Sequence, residues 1–266
     1  MKKLLKKIKN LIFGISSDLE MIEKSLSSKS KVNYKKYEFS FINTNDLLRY
    51  RIKNFLTKEP DTIKWIEEFD NGSSFWDIGA NIGEYSIFAA KTKQANVFSF
   101  EPSFFNLETL IKNIFINNLQ NQITTLPISL NDSTKKGMFK ISNFNHGHAN
   151  SSFNTNNGWD GKILKTNFEY QTMSISIDDT IKFFNLEIPD YIKIDVDGNE
   201  HLVLNGGKKT LKKVKEVLIE LPGVWEEQTN KSHKILLESG LKLVKNHNFD
   251  LITNPNGSAN EIWKRI

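Results

Sequence analysis

The chain has 266 residues, 38% hydrophobic and 25% charged, which suits one sizeable α/β domain plus an extension and not a disordered polymer. It holds no cysteine, so disulfides, thiolate metal sites, iron–sulfur clusters and cysteine nucleophiles are all excluded. The net charge of +5 is uneven: ten lysines against Asp18, Glu20 and Glu23 put +7 on residues 1–36 and leave −2 on the other 230.

A nearly neutral main domain argues against a nucleic-acid partner, which needs positive charge over its binding face. No run of about 18 apolar residues is available for a membrane span. In Met1–Phe13, Leu4, Leu5, Ile8, Leu11 and Ile12 follow helical spacing with Lys2, Lys6 and Lys9 largely opposite. Two readings of residues 1–24 stay open: a peripheral contact with an anionic membrane, or a helix packed on its own domain or a partner. The expected location is the cytoplasm, at the inner membrane face if the first reading holds.

Ser25–Lys36 reads as a linker and Tyr37–Asn43 as a short strand. Thr44 or Asn45 caps a helix over about Leu47–Leu56, and Pro60 opens another to about Phe69. Residues 1–56 are therefore expected to form a basic, helical extension, and 57–266 the main domain. From Ser73 the pattern alternates, with strands near 73–78, 95–100, 122–128, 190–196 and 216–221. Helices are expected near 82–92, 104–118, 200–213 and 230–239. That rhythm predicts a parallel sheet with helices on both faces. Between 130 and 178 it breaks into a polar excursion, flanked by short strands near 137–141 and 170–177. The segments near 240–247 and 260–265 form an antiparallel pair through Asn254-Pro255-Asn256-Gly257.

Chemistry concentrates at three strand ends. Phe75-Trp76-Asp77-Ile78-Gly79-Ala80-Asn81-Ile82-Gly83-Glu84 is a buried strand turning on glycine into a helix. Its glycines are spaced G-x-x-x-G, which fits neither the dinucleotide fingerprint nor a P-loop. The loop suits the zwitterionic methionine end of S-adenosylmethionine (SAM), with Asp77 near the ammonium. Glu101, ending the next strand, lies 22 residues after Gly79, close to the offset of about 20 for a ribose-binding acid. The plain alternative is a pair of polar strand ends. Ile192-Lys193-Ile194-Asp195-Val196-Asp197-Gly198-Asn199-Glu200 brings a third acid cluster to the same crevice. Such acids orient or deprotonate a hydroxyl, or bind a divalent metal. Glu200 reads best as a helix-capping acid.

The pair D-I-G-A-N-I-G (77–83) and I-K-I-D-V-D-G-N-E (192–200) resembles the FkbM family of SAM-dependent methyltransferases. F-E-P (100–102), Asn106, Asn113, S-I-D-D (176–179) and V-L-I-E-L (217–221) match in the same order, over roughly residues 57–222. The resemblance implies a class I SAM-dependent methyltransferase fold. That is a Rossmann-like, seven-stranded sheet with helices on both faces and the last strand antiparallel. It implies O-methyl transfer, often to sugar hydroxyls of glycans, glycolipids or glycosylated metabolites. Asp77, Gly79, Ala80, Asn81, Gly83, Glu101 and Pro102 become cofactor residues, and Asp195 the residue of the reaction centre. The family's Ala-Leu-Ser-Asp stands here as Ile128-Ser129-Leu130-Asn131-Asp132, which assigns the adenine contact to Asn131 and Asp132. Asp197 stands where the family usually has Glu.

Asp195 is the first candidate base, and His146 or His148 in the Gly/Asn-rich loop the second. No metal is expected. The alternatives are a nucleic-acid methyltransferase or a non-catalytic binding module docking through its basic arm. The neutral domain and the absence of an Asn/Asp-Pro-Pro-aromatic motif oppose the first; the intact acids oppose the second.

Overall fold

The computed structural model describes residues 28–246 and 257–266. The helix expected at Met1–Phe13, the turn at 254–256 and His247 lie outside the described residues. An antiparallel hairpin of β1 (Lys29–Tyr34) and β2 (Tyr37–Ile42) comes first. β1 replaces the expected linker. Ser30, Val32 and Tyr34 turn inward while Lys29, Lys31 and Asn33 stay exposed, a period of two. α1 (Asp46–Lys58) starts where the Asn45 side chain accepts from the Leu48 amide at 2.7 Å, and α2 (Pro60–Glu67) starts on its proline.

The alternating part follows as β3 (Ser74–Ile78), α3 (Glu84–Lys93), β4 (Asn96–Phe100), α4 (Phe104–Ile116) and β5 (Ile123–Leu126). The polar excursion then folds as a second sheet, wider than the two strands expected. Its strands are β6 (Ser129–Leu130), β7 (Lys135–Ile141), β8 (Ser151–Phe153) and β9 (Phe168–Ile175), in spatial order β6-β9-β7-β8. α5 (Ile177–Phe184) was not expected, although its cap was visible: Ser176 Oγ accepts from the Asp179 amide at 3.0 Å. The chain closes with β10 (Tyr191–Ile194), α6 (Glu200–Asn205), α7 (Lys208–Leu211), β11 (Glu216–Pro222), α8 (Glu226–Glu238), β12 (Leu241–Asn246) and β13 (Ser258–Arg265). The single helix expected over 200–213 is two. A Cβ on Gly206 would lie 2.2 Å from the Asn131 carbonyl oxygen, and one on Gly207 2.9 Å from Ile177. The break lets the chain pass close under the second sheet.

The main sheet has seven strands in the order β12-β13-β11-β10-β3-β4-β5. β13 alone runs against its neighbours, which is the reversed last strand of the expected fold. Helices cover both faces. One apolar cluster joins Phe75 and Val97 to Phe88 of α3, Leu110 of α4, Phe55 and Trp65 of α1 and α2, and Phe39 and Phe41 of the hairpin. The other joins Trp76, Ile192 and Ile219 to Val203, Leu211 and Leu236.

Candidate active site

β10, β3 and β4 are neighbours in the sheet, and the loops after them wall a cavity of about 480 Å³. That is within the roughly 300–1,000 Å³ usual for small-molecule and cofactor sites. The loop after β3 turns through left-handed backbone at Gly79, Asn81 and Gly83, with φ of 87°, 50° and 83°. A Cβ on Gly79 would sit 1.8 Å from the Asp195 carbonyl oxygen, so only glycine lets these strand ends meet. Gly83 serves packing instead: a Cβ there would meet Leu110 at 2.2 Å.

Glu101 reaches the cavity. Its carboxylate accepts from the Asn81 amide at 2.8 Å and the Ser103 amide at 2.7 Å, and burial pushes its carboxyl up to about 8. Gly79, Ala80, Asn81, Pro102, His148 and Asp195 line the same space. Asp77 does not. It is buried on the α3 side of the sheet, where Ser86 Oγ donates to it at 2.5 Å and burial raises its carboxyl. Asn131 and Asp132 also stand apart, while Ile128, Ser129 and Leu130 of the same segment line the wall. His146 bonds Thr109 through Nδ1 at 3.0 Å, away from the cavity. His148 faces the cavity, with Nδ1 beside the Ala149 carbonyl.

At the floor, Lys193 Nζ donates to Asp195 Oδ2 at 2.7 Å. Burial is the largest single influence on the Asp195 carboxyl and would raise it, but the Lys193 ammonium, a hydrogen bond with Glu220 and the charge of Lys58 together outweigh it and hold the group well below the carboxylate range. Burial likewise opposes the charge of Lys193, and Asp195, Glu59 and Asp77 together keep it protonated. Glu59 is buried between Lys58 at 3.3 Å, Thr62 Oγ1 at 3.1 Å and Asn260 Nδ2 at 3.3 Å. Glu220 is driven well above the usual carboxylate range by burial, with Asp195 and Glu59 beside it. Glu200 closes its own loop, accepting from the Val196 and Gly198 amides at 3.1 Å.

The methyltransferase FkbM domain matches residues 77–251 of this chain. The chain belongs to the FkbM methyltransferase family. It carries a SAM-dependent methyltransferase domain with a Rossmann-like fold. A hexuronic acid methyltransferase from Haloferax volcanii, AglP, is 27% identical over 173 residues, which are 65% of this chain and 65% of that relative. The methyltransferase FkbM of Methylobacillus flagellatus aligns in three dimensions with a TM-score of 0.51 at 16% identity, over 83% of this chain and 55% of that one. The chain thus spans less than two thirds of the length of either.

The residues of this FkbM domain fit SAM on their own chemistry. Asn81 Oδ1 is buried at the cavity wall without a hydrogen-bond partner among the described residues, and so is Asn199 Oδ1. Glu101 keeps lone pairs for ribose hydroxyls, and Ile128, Leu130 and Phe139 give a flat base apolar walls. When bound, SAM supplies an activated methyl group at its sulfonium.

Sequence reasoning missed Arg51, Lys58, Glu59 and Tyr85, which line the cavity from α1, the α1–α2 junction and α3. Nothing in their local pattern marks the first three. Lys193 and Glu220 did carry a signal: Lys193 is the one charge in β10, and Glu220 interrupts the apolar run Val217–Leu221 of β11.

Proposed function

We propose that this protein transfers the methyl group of SAM to a hydroxyl of a sugar, in a glycan, a glycolipid or a glycosylated metabolite, within the cytoplasm. The carrying observation is that one cavity joins the Gly79–Asn81 loop and Glu101 to the floor built from Asp195, Lys193, Glu59 and Glu220. One half suits the donor, the other a polar acceptor. Trp159 lines the same cavity and offers a flat face of the kind sugars stack on. The relative acting on hexuronic acid supports a sugar over a nucleic acid.

With SAM held by the Gly79–Asn81 loop and Glu101, methyl transfer would need the acceptor hydroxyl aligned on the donor, so alignment would matter most. Asp195 accepts the hydroxyl's hydrogen bond and fixes the direction of a lone pair. Held low by Lys193, Glu220 and Lys58 together, it is a weak base in the resting site. Once the acceptor oxygen took the methyl group its hydroxyl proton would become strongly acidic, and Asp195 would take that proton late in the step.

Calorimetry with SAM, followed by label transfer from SAM to glycan extracts of cells lacking the gene, tests this reading. Asp195→Ala is expected to bind SAM within a few-fold of wild type and to lose turnover by about 10²-fold or more. No SAM binding by the wild type, or label entering RNA instead of the glycan fraction, would overturn the proposal.

A further inference from the structure

An aromatic face between α4 and the second sheet takes no part in the chemistry above. Phe104, Phe144 and Phe168 are 67%, 48% and 49% exposed. They form one surface, with ring centroids 6.0 Å apart for Phe104–Phe105, 5.7 Å for Phe105–Phe144 and 5.8 Å for Phe144–Phe168. Along α4 the same side continues to Ile111 and Phe115, because steps of seven and eleven from Phe104 return to one helix face. A contiguous apolar patch of this kind marks an interaction surface.

Its position says what it meets. Tyr170, stacked on Phe168 at 6.0 Å, donates its hydroxyl to the carbonyl of Pro102, a cavity residue, at 3.4 Å. The face therefore borders the cavity rim. The His146 ring packs on Phe105 at 5.8 Å, and its carbonyl accepts from Asn45 Nδ2 at 3.1 Å. Two residues earlier, the Asn43 amide donates to the Ser28 carbonyl at 2.9 Å. The chain thus enters its folded body beside this face, and the 27 residues before Ser28 hold six lysines against three acids.

We propose that this aromatic face docks the protein on an anionic lipid bilayer, with the cavity rim turned to the lipid surface. Exposed rings partition into the headgroup zone, and a cationic segment entering beside them is drawn to anionic lipid. The surface stands apart from the donor site, so it holds whichever hydroxyl is methylated.

Sedimentation of the full chain with vesicles of phosphatidylcholine and phosphatidylglycerol tests the proposal. The triple variant Phe104→Ser, Phe144→Ser, Phe168→Ser is expected to lower the partition coefficient roughly tenfold or more, with SAM binding unchanged. Phe183→Ser with Phe184→Ser, at an exposed pair on α5, leaves partitioning as in wild type. Phe104→Trp, which needs no loss of apolar surface, gains fluorescence quenching by brominated lipid over the wild-type signal. Wild type that stays in the supernatant, or a folded triple variant that pellets equally, overturns the proposal. A triple variant that changes only the particle mass in light scattering assigns the face to a protein partner and overturns it too. Failure here leaves SAM binding and label transfer intact, which separates it from the proposed function.

Discussion

Asp77 and Glu101 end neighbouring strands, yet their carboxylates meet different surroundings. Asp77 shares the face of Phe75, under α3, where Ser86 holds it; Glu101 lies one residue past β4 and turns into the cavity. Glu101 therefore carries a pH signature. Its folded value of about 8 lies above the ordinary 4.5, so its contribution to stability is full below pH 4.5 and is lost as pH rises through about 8. If Glu101 holds the ribose of SAM, whose hydroxyls would donate to the ionised form, SAM binding drives off this proton. Affinity for SAM is expected to rise with pH toward 8, by up to about tenfold per unit, and to level off above it. Titrations in two buffers of different ionisation heat measure the released proton. Glu101→Gln should bind more weakly and without that slope; a flat wild-type profile would refute the assignment. The presence of both acids was legible in the sequence. Which one the cavity receives was not, because it depends on strand phase against α3 and not on residue type.

The loop before β8 is pinned by groups from four other elements. Asn45 Nδ2 reaches the His146 carbonyl, Arg51 Nε the Gly147 carbonyl at 2.6 Å, and Asn81 and Asn106 both reach the His148 carbonyl. Asp197, in left-handed backbone at φ 56°, accepts from the Asn150 amide at 2.7 Å. Burial, with Asp195 beside it, pushes its carboxyl up to about 6. The shorter acid at this position thus has a use: it ties the loop to the end of β10. Removing the carboxylate from this half-buried amide costs about 1 kcal/mol, toward the low end of the range for an amide left unpaired. Asp197→Ala is accordingly expected to speed amide exchange over residues 145–151 severalfold, with Asp197→Asn milder. Unchanged exchange would show that the other four contacts suffice. The loop's polarity and length were readable, but its anchors come from residues 45 to 197 and leave no local mark. The same holds for β1, where a short amphipathic period was hidden among lysines and serines, while α5 left only its Ser176 cap as a local mark.

At the scale of the molecule, the family match begins at residue 77, while the core and the cavity both begin earlier. Phe39 stacks on Phe88 at 5.5 Å and meets Phe55 edge-on at 5.9 Å, and Phe55 meets Phe88 at 6.0 Å. Asn113 of α4 and Asn117, the residue that caps its C-terminus, bond the β2 backbone at Ile42 and Ser40. A cut between residues 56 and 57 falls inside α1 and removes Phe39, Phe41, Leu48, Ile52 and Phe55 from the apolar cluster over the main sheet. The sequence located the sheet well because strand–helix alternation is a local pattern. It did not show that the hairpin completes the same core, since that pairing spans long separations. Phe39→Ala is expected to destabilise the full chain by about 3–5 kcal/mol, the cost of deleting a buried ring. The fragment 57–266 exposes the whole face at once, so it should lose cooperative melting in circular dichroism and bind a hydrophobic dye. A fragment that melts cooperatively within a few degrees of the full chain would show that α1 and the hairpin are accessory to the fold and serve only the cavity wall at Arg51, Lys58 and Glu59.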